Sequence, residues 1–99
     1  MKIQTQSVHF DADSSLLEFI QKKVEKLNVF YDRIINADVF LRLEKNGQVQ
    51  DKIAEIRLKI PGSVLVSKET SKTFEGSIDS AVGTLKRQLI KKKEKMRMA

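Results

Sequence analysis

The 99-residue sequence has no cysteine and no tryptophan, one histidine, one proline and four glycines. Without cysteine there are no disulfide staples, no thiolate zinc site and no cysteine nucleophile. The single histidine, His9, has no second imidazole with which to build a transition-metal site. No apolar run approaches the roughly 18 residues that a membrane-spanning helix needs. The opening "MKIQTQSVHF" lacks the apolar stretch of a signal peptide. A soluble, cytoplasmic protein is the simplest account.

Catalytic signatures are missing as well. The glycines, at 47, 62, 76 and 83, form neither a Walker A loop nor a dinucleotide fingerprint. There is no G-x-S-x-G elbow and no DxDxDG-like calcium loop. His9 falls at the end of a predicted first strand, and a general base needs a positioned partner that the pattern does not supply. The acidic residues are dispersed among basic ones, as on a solvated face. Asp79 stands apart, near the start of a predicted helix, where its charge favours the macrodipole. The sequence therefore predicts no enzyme, and no cofactor, metal or small-molecule substrate.

What the chain has in excess is positive charge, and its location is informative. Residues 1–85 hold twelve basic and twelve acidic residues, whereas residues 86–99 hold seven basic and one acidic. The whole formal charge of +6 therefore resides in the segment "KRQLIKKKEKMRMA". Charge concentrated in this way points to a polyanionic partner, nucleic acid or an anionic surface. A solubilising terminus is the competing explanation.

At this length the chain is expected to form one domain, residues 1–99, around one two-layer core. Residues 2–8 lean towards a strand. Asp11 and Asp13 offer helix caps, Ser15 and Glu18 fit a capping box, and Leu16, Leu17, Ile20, Val24 and Leu27 follow at helical spacing over 14–29. The period then switches to two: Ile35, Ala37, Val39, Leu41 and Leu43 alternate with Asn36, Asp38, Phe40, Arg42 and Glu44. Asn46–Gly47 signals a hairpin, with a connection expected to reach about residue 52. Ala54, Ile56, Leu58 and Ile60 form the next alternating run, and Pro61–Gly62 turns into a strand at about 64–70. Phe74, Ile78, Ala81, Val82, Leu85 and Leu89 restore the helical stripe.

The fold class implied is α+β, a β-α-β-β-β-α domain with two helices packed on one face of a four-stranded sheet. The other face carries Asp38, Arg42, Glu44, Glu55, Arg57 and Lys59, mixed in sign. Beyond Leu89 the stripe fails and cations point around the helix, so residues of about 90–99 are expected to project as a basic helical extension.

Lys22, Lys23 and Lys26 lie on the outer side of the first helix, with Arg33 in the following loop. The second helix adds Lys86, Arg87, Lys91, Lys92, Lys93 and Lys95. Helices side by side on one sheet face would join these clusters into one basic surface suited to the phosphates of structured RNA. Residues 75–99 contain no aromatic residue, and Phe40 is the one aromatic expected on the open sheet face. The pattern predicts affinity from the RNA backbone rather than a base-stacking platform. A membrane surface fits less well, because the apolar stripe is needed by the core and no Trp or Phe anchors the cationic segment.

Three segments together carry a family resemblance: "KKVEKLNVFYDRIINADVFLRLEK" (22–45), "EIRLKIPGSVLVS" (55–67) and "FEGSIDSAVGTLKRQLIKKKEK" (74–95). They resemble the ribosome hibernation-promoting factor and ribosome-associated inhibitor A family, also called sigma-54 modulation protein. The most specific pieces are Ile78, Asp79, Leu85, Arg87, Gln88, Leu89, Lys91, Lys93 and Lys95, then Lys23, Lys26, Leu27, Tyr31, Asp32, Arg33 and Ile34.

The resemblance implies the same β-α-β-β-β-α sheet, with a layout like that of double-stranded-RNA-binding domains. It also implies binding to the small ribosomal subunit, in the channel for mRNA and the A- and P-site tRNAs, as a translation inhibitor in stress or stationary phase. The rRNA contacts it implies are Lys23, Lys26, Lys86, Arg87, Lys91, Lys92, Lys93 and Lys95. Phe74 replaces a common tyrosine, and Gly83 stands where the family often has a polar residue. The sequence ends after the second helix, so a short form without a dimerisation domain is expected, and a monomer. The alternative function is a regulator that binds another macromolecule, such as a polymerase subunit, through the basic helix.

Overall fold

The computed structural model describes residues 1–46 and 49–98. The elements are β1 (Lys2–Ser7), α1 (Ser14–Glu25) extended by a 3₁₀ turn (Lys26–Val29), β2 (Asn36–Asn46), β3 (Val49–Ile60), β4 (Ser63–Ser71) and α2 (Phe74–Met98). The strands form one sheet in the order β1-β2-β3-β4. β1 pairs with β2 in parallel, and the other two pairs are antiparallel. This is the expected α+β arrangement.

Alternation puts Ala37, Val39 and Leu41 of β2, and Ala54, Ile56, Leu58 and Ile60 of β3, against the helices, all almost fully buried. Ile20, Val24, Ile78, Ala81, Leu85 and Leu89 cover them. The ends of the predicted runs escape. Ile35, just before β2, and Leu43, towards the hairpin, stay partly exposed, and Leu17 of α1 faces solvent.

The structure refines the local expectations at three places. Of the two aspartates expected to cap α1, Asp13 does so: its carboxylate accepts the Leu16 N–H at 2.8 Å, and the helix begins at Ser14 as expected, which leaves Ser15 inside the first turn rather than at the cap. The regular helix ends at Glu25 and tightens into the 3₁₀ turn, which brings Phe30 and Tyr31 round to bond back to Leu27. The β2–β3 ladder continues to Asn46↔Val49, so the connection is two residues rather than a reach to 52; Gly47 of the predicted hairpin signal lies outside the described residues. At the next turn Pro61 is followed by Gly62 at φ 79°, a conformation that favours glycine.

α2 starts with Thr73 accepting the Gly76 N–H at 3.0 Å. Buried Ser77 then donates to the Lys52 carbonyl, pinning the helix start to β3. Phe74 stacks on Phe10 with centroids 5.0 Å apart. Past Leu89 the residues through Lys95 are exposed, apart from a half-buried Lys92. The hairpin and the last turns of α2 extend from opposite ends, and the long dimension reaches 50 Å.

Candidate nucleic-acid interface

The helices run side by side in the same direction. Lys23 of α1 meets Asp79, and Phe30 beyond the 3₁₀ turn meets Lys86, seven residues further along α2. This order follows from the topology, because each helix returns antiparallel to β1 and β4, which point the same way. The basic end of α2 therefore lies beside the C-terminal end of α1.

Lys22 and Lys26 are exposed on the outer side of α1. Lys23 is half-buried, with its ammonium 3.0 Å from the Asp79 carboxylate and 5.6 Å from the centre of the Phe19 ring. Asp79 is the sixth residue of α2, beyond the first turn where the helix dipole acts. Its expected role at the helix start is replaced by a bridge between the helices. Lys86 faces the same junction, 4.6 Å from the Phe30 ring centre, and Lys93, two turns on, lines a cleft with Val29, Phe30 and Ile90.

Arg87 turns the other way. Its guanidinium donates to Thr84 Oγ1, which in turn donates to Glu69 of β4. Helical spacing places Lys91 and Lys95 towards that flank too. The cations of α2 thus divide between two sides of one helix instead of forming a single stripe. Arg33 is exposed on the turn before β2 and makes no ion pair among the described residues. Lys23–Asp79 and Arg57–Glu55 are the only ion pairs among those residues, so apart from Lys23 the candidate cations with described side chains carry no internal counter-charge.

The open sheet face differs. Arg57 pairs with Glu55 at 2.8 Å and covers Phe40 at 5.2 Å, so that ring is not a free stacking platform. The face also shows Val64 and Val66 of β4, about half exposed. Sequence reasoning missed the apolar residues at the basic junction, Val29 and Ile90, because periodicity counts residues on a helix face and does not show where a 3₁₀ turn sets them down.

A family model described as "Sigma 54 modulation protein / S30EA ribosomal protein" matches residues 3–97. Among curated proteins, the chain is 30% identical over 95 residues to a ribosome hibernation promoting factor of Pseudomonas putida, covering 96% of this chain and 89% of that protein. It is 27% identical over 97 residues to the protein of the same name from Escherichia coli, covering 98% of each. Among solved structures it resembles a ribosomal subunit interface protein from Coxiella burnetii, with TM-score 0.83, 26% identity and coverage of 95% and 99%. The N-terminal domain of Thermus thermophilus Protein Y shares the fold at TM-score 0.81 and 24% identity, with coverage of 92% and 98%.

Proposed function

The chain belongs to the sigma 54 modulation protein / S30EA ribosomal protein family, and we propose that it is a ribosome-associated hibernation factor that holds small-subunit rRNA through its two basic helices. It acts in the cytoplasm, occupies the channel for mRNA and the A- and P-site tRNAs, and so keeps idle ribosomes from initiating. The contacts are Lys22, Lys26 and Arg33 with Lys86, Arg87, Lys91, Lys92, Lys93 and Lys95, while Lys23 chiefly ties the helices together.

The observation that carries this reading is unbalanced charge: residues 86–99 hold seven basic residues against one acidic. A folded domain normally disperses its cations among acids, and residues 1–85 do so. The end of α2 does not, and it projects where a phosphate-lined groove can surround it. The division of Lys86 and Lys93 from Arg87, Lys91 and Lys95 suits a helix with RNA backbone on both sides, since phosphate contacts fix position without reading sequence. No helix among the described residues is long and apolar enough to cross a membrane.

The test of channel occupancy is displacement. Purified small subunits loaded with the protein are challenged with excess tRNA, and the protein released is measured. Release in proportion to tRNA bound is expected. Simultaneous binding of both would contradict occupation of the tRNA sites.

A further inference from the structure

Inside the lysine surface lies an apolar floor that the fold does not require. Val29 is 79% exposed and Ile90 37% exposed, and with half-buried Phe30 they line an open cleft between the 3₁₀ turn and α2. The core stripe of α2 is already complete at Leu89. The cleft holds about 220 Å³, below the roughly 300–1,000 Å³ of sites for drug-sized ligands, and suits one ring system. Its remaining walls are Lys93 and Glu94.

Glu94 is the single acidic residue among the last fourteen, and it makes no ion pair among the described residues. A carboxylate here opposes a phosphate but accepts a hydrogen bond from an amino or imino N–H on a base edge. The cleft therefore combines an aromatic and aliphatic floor, an acceptor on one wall, and cations at Lys86 and Lys93. That is the complement of one nucleotide: a flat base with N–H donors, carried on a phosphate.

We propose that the Val29–Phe30–Ile90 cleft takes up a single unpaired nucleobase of the RNA whose phosphates the lysines hold. The proposal rests on the rRNA reading above and adds base capture to it. Lys86 makes the exchange favourable. Its contact with Phe30 is an exposed cation–π pair, worth about two- to fivefold in an equilibrium constant. A base stacked on an aromatic ring is worth roughly five- to 150-fold. The incoming base takes the ring, and the Lys86 ammonium moves to the adjacent phosphate.

The experiment compares two fluorescein-labelled RNA hairpins, identical except for one bulged adenosine, by anisotropy titration at low salt with the intact protein. The bulged hairpin is expected to bind about tenfold tighter. Val29→Ser, at a position too exposed to carry the fold, and Phe30→Leu should remove the preference without changing affinity for the paired hairpin. Glu94→Gln should reduce it. Equal wild-type affinities, or a preference that survives both Val29→Ser and Phe30→Leu, would overturn base capture and leave the backbone reading standing. Failure to bind either hairpin would count against both. Binding to phosphatidylglycerol vesicles, lost on Val29→Ser, would assign the cleft to a lipid surface and overturn the proposal.

Discussion

Lys23 and Asp79 join the two helices, ammonium to carboxylate, at 3.0 Å. The pair sits on the surface, with side chains 34% and 57% exposed, so water screens it and its stabilisation is about 0.2–1 kcal/mol. Its larger consequence is electrostatic: Asp79 cancels a cation that otherwise belongs to the basic surface.

Asp79→Asn should therefore lower stability by about 1 kcal/mol or less in urea unfolding. Affinity for RNA should hold or rise, because Lys23 is released. A marked loss of RNA affinity with the fold intact would show that the bridge orients the interface.

The end of the apolar stripe sets a second expectation. Leu85 is fully buried and Ile90 is 37% exposed. Leu85→Ala should cost about 2–5 kcal/mol through the cavity it leaves, whereas Ile90→Ala should cost about 1 kcal/mol or less. Denaturant titration of both variants separates the part of α2 that holds the fold from the part that serves the surface.

The two helix glycines should respond in opposite ways to alanine. At Gly83 a Cβ would meet only the Arg87 Nη1, at 3.9 Å, so Gly83→Ala should stabilise by up to about 1 kcal/mol from helix propensity. At Gly76 a Cβ would come within 2.7 Å of Ser71 Oγ and 3.0 Å of the capping Thr73 Oγ1. Gly76→Ala should gain nothing or destabilise, which thermal unfolding would show.

Phosphate contacts have a salt signature. If about six are made, affinity for the small subunit should fall on the order of 10³-fold between 50 and 200 mM salt. Removing two cations, Lys91→Ala with Lys93→Ala, should make the logarithmic salt slope shallower by about two. An unchanged slope would mean that those side chains stay in solvent.

The sheet was legible in the sequence because alternation at 37–41 and 54–60 reports directly which face is buried. The stripe of α2 was equally plain, and so was its failure after Leu89. Contacts between elements were not legible. Nothing in the spacing of Lys23 and Asp79 announces their pairing, and helix dipole logic assigned Asp79 to its own helix. The change from α-helix to 3₁₀ turn at Lys26 carries no proline or glycine signal, yet it sets Val29 and Phe30 beside Ile90. The basic residues themselves could be read from composition, but what each flank of α2 meets required the neighbouring elements, Phe30 on one side and, through Thr84, Glu69 of β4 on the other.

The measurement that bears most directly on the account is co-sedimentation with separated small and large ribosomal subunits at 50 and 200 mM salt, using the wild type and the Lys91→Glu/Lys93→Glu variant. The account predicts that the wild type travels with the small subunit at low salt, largely dissociates at high salt, and that the variant stays at the top of the gradient in both. A wild-type protein that remains at the top at low salt, or a charge-reversed variant that still travels with the small subunit, would contradict it.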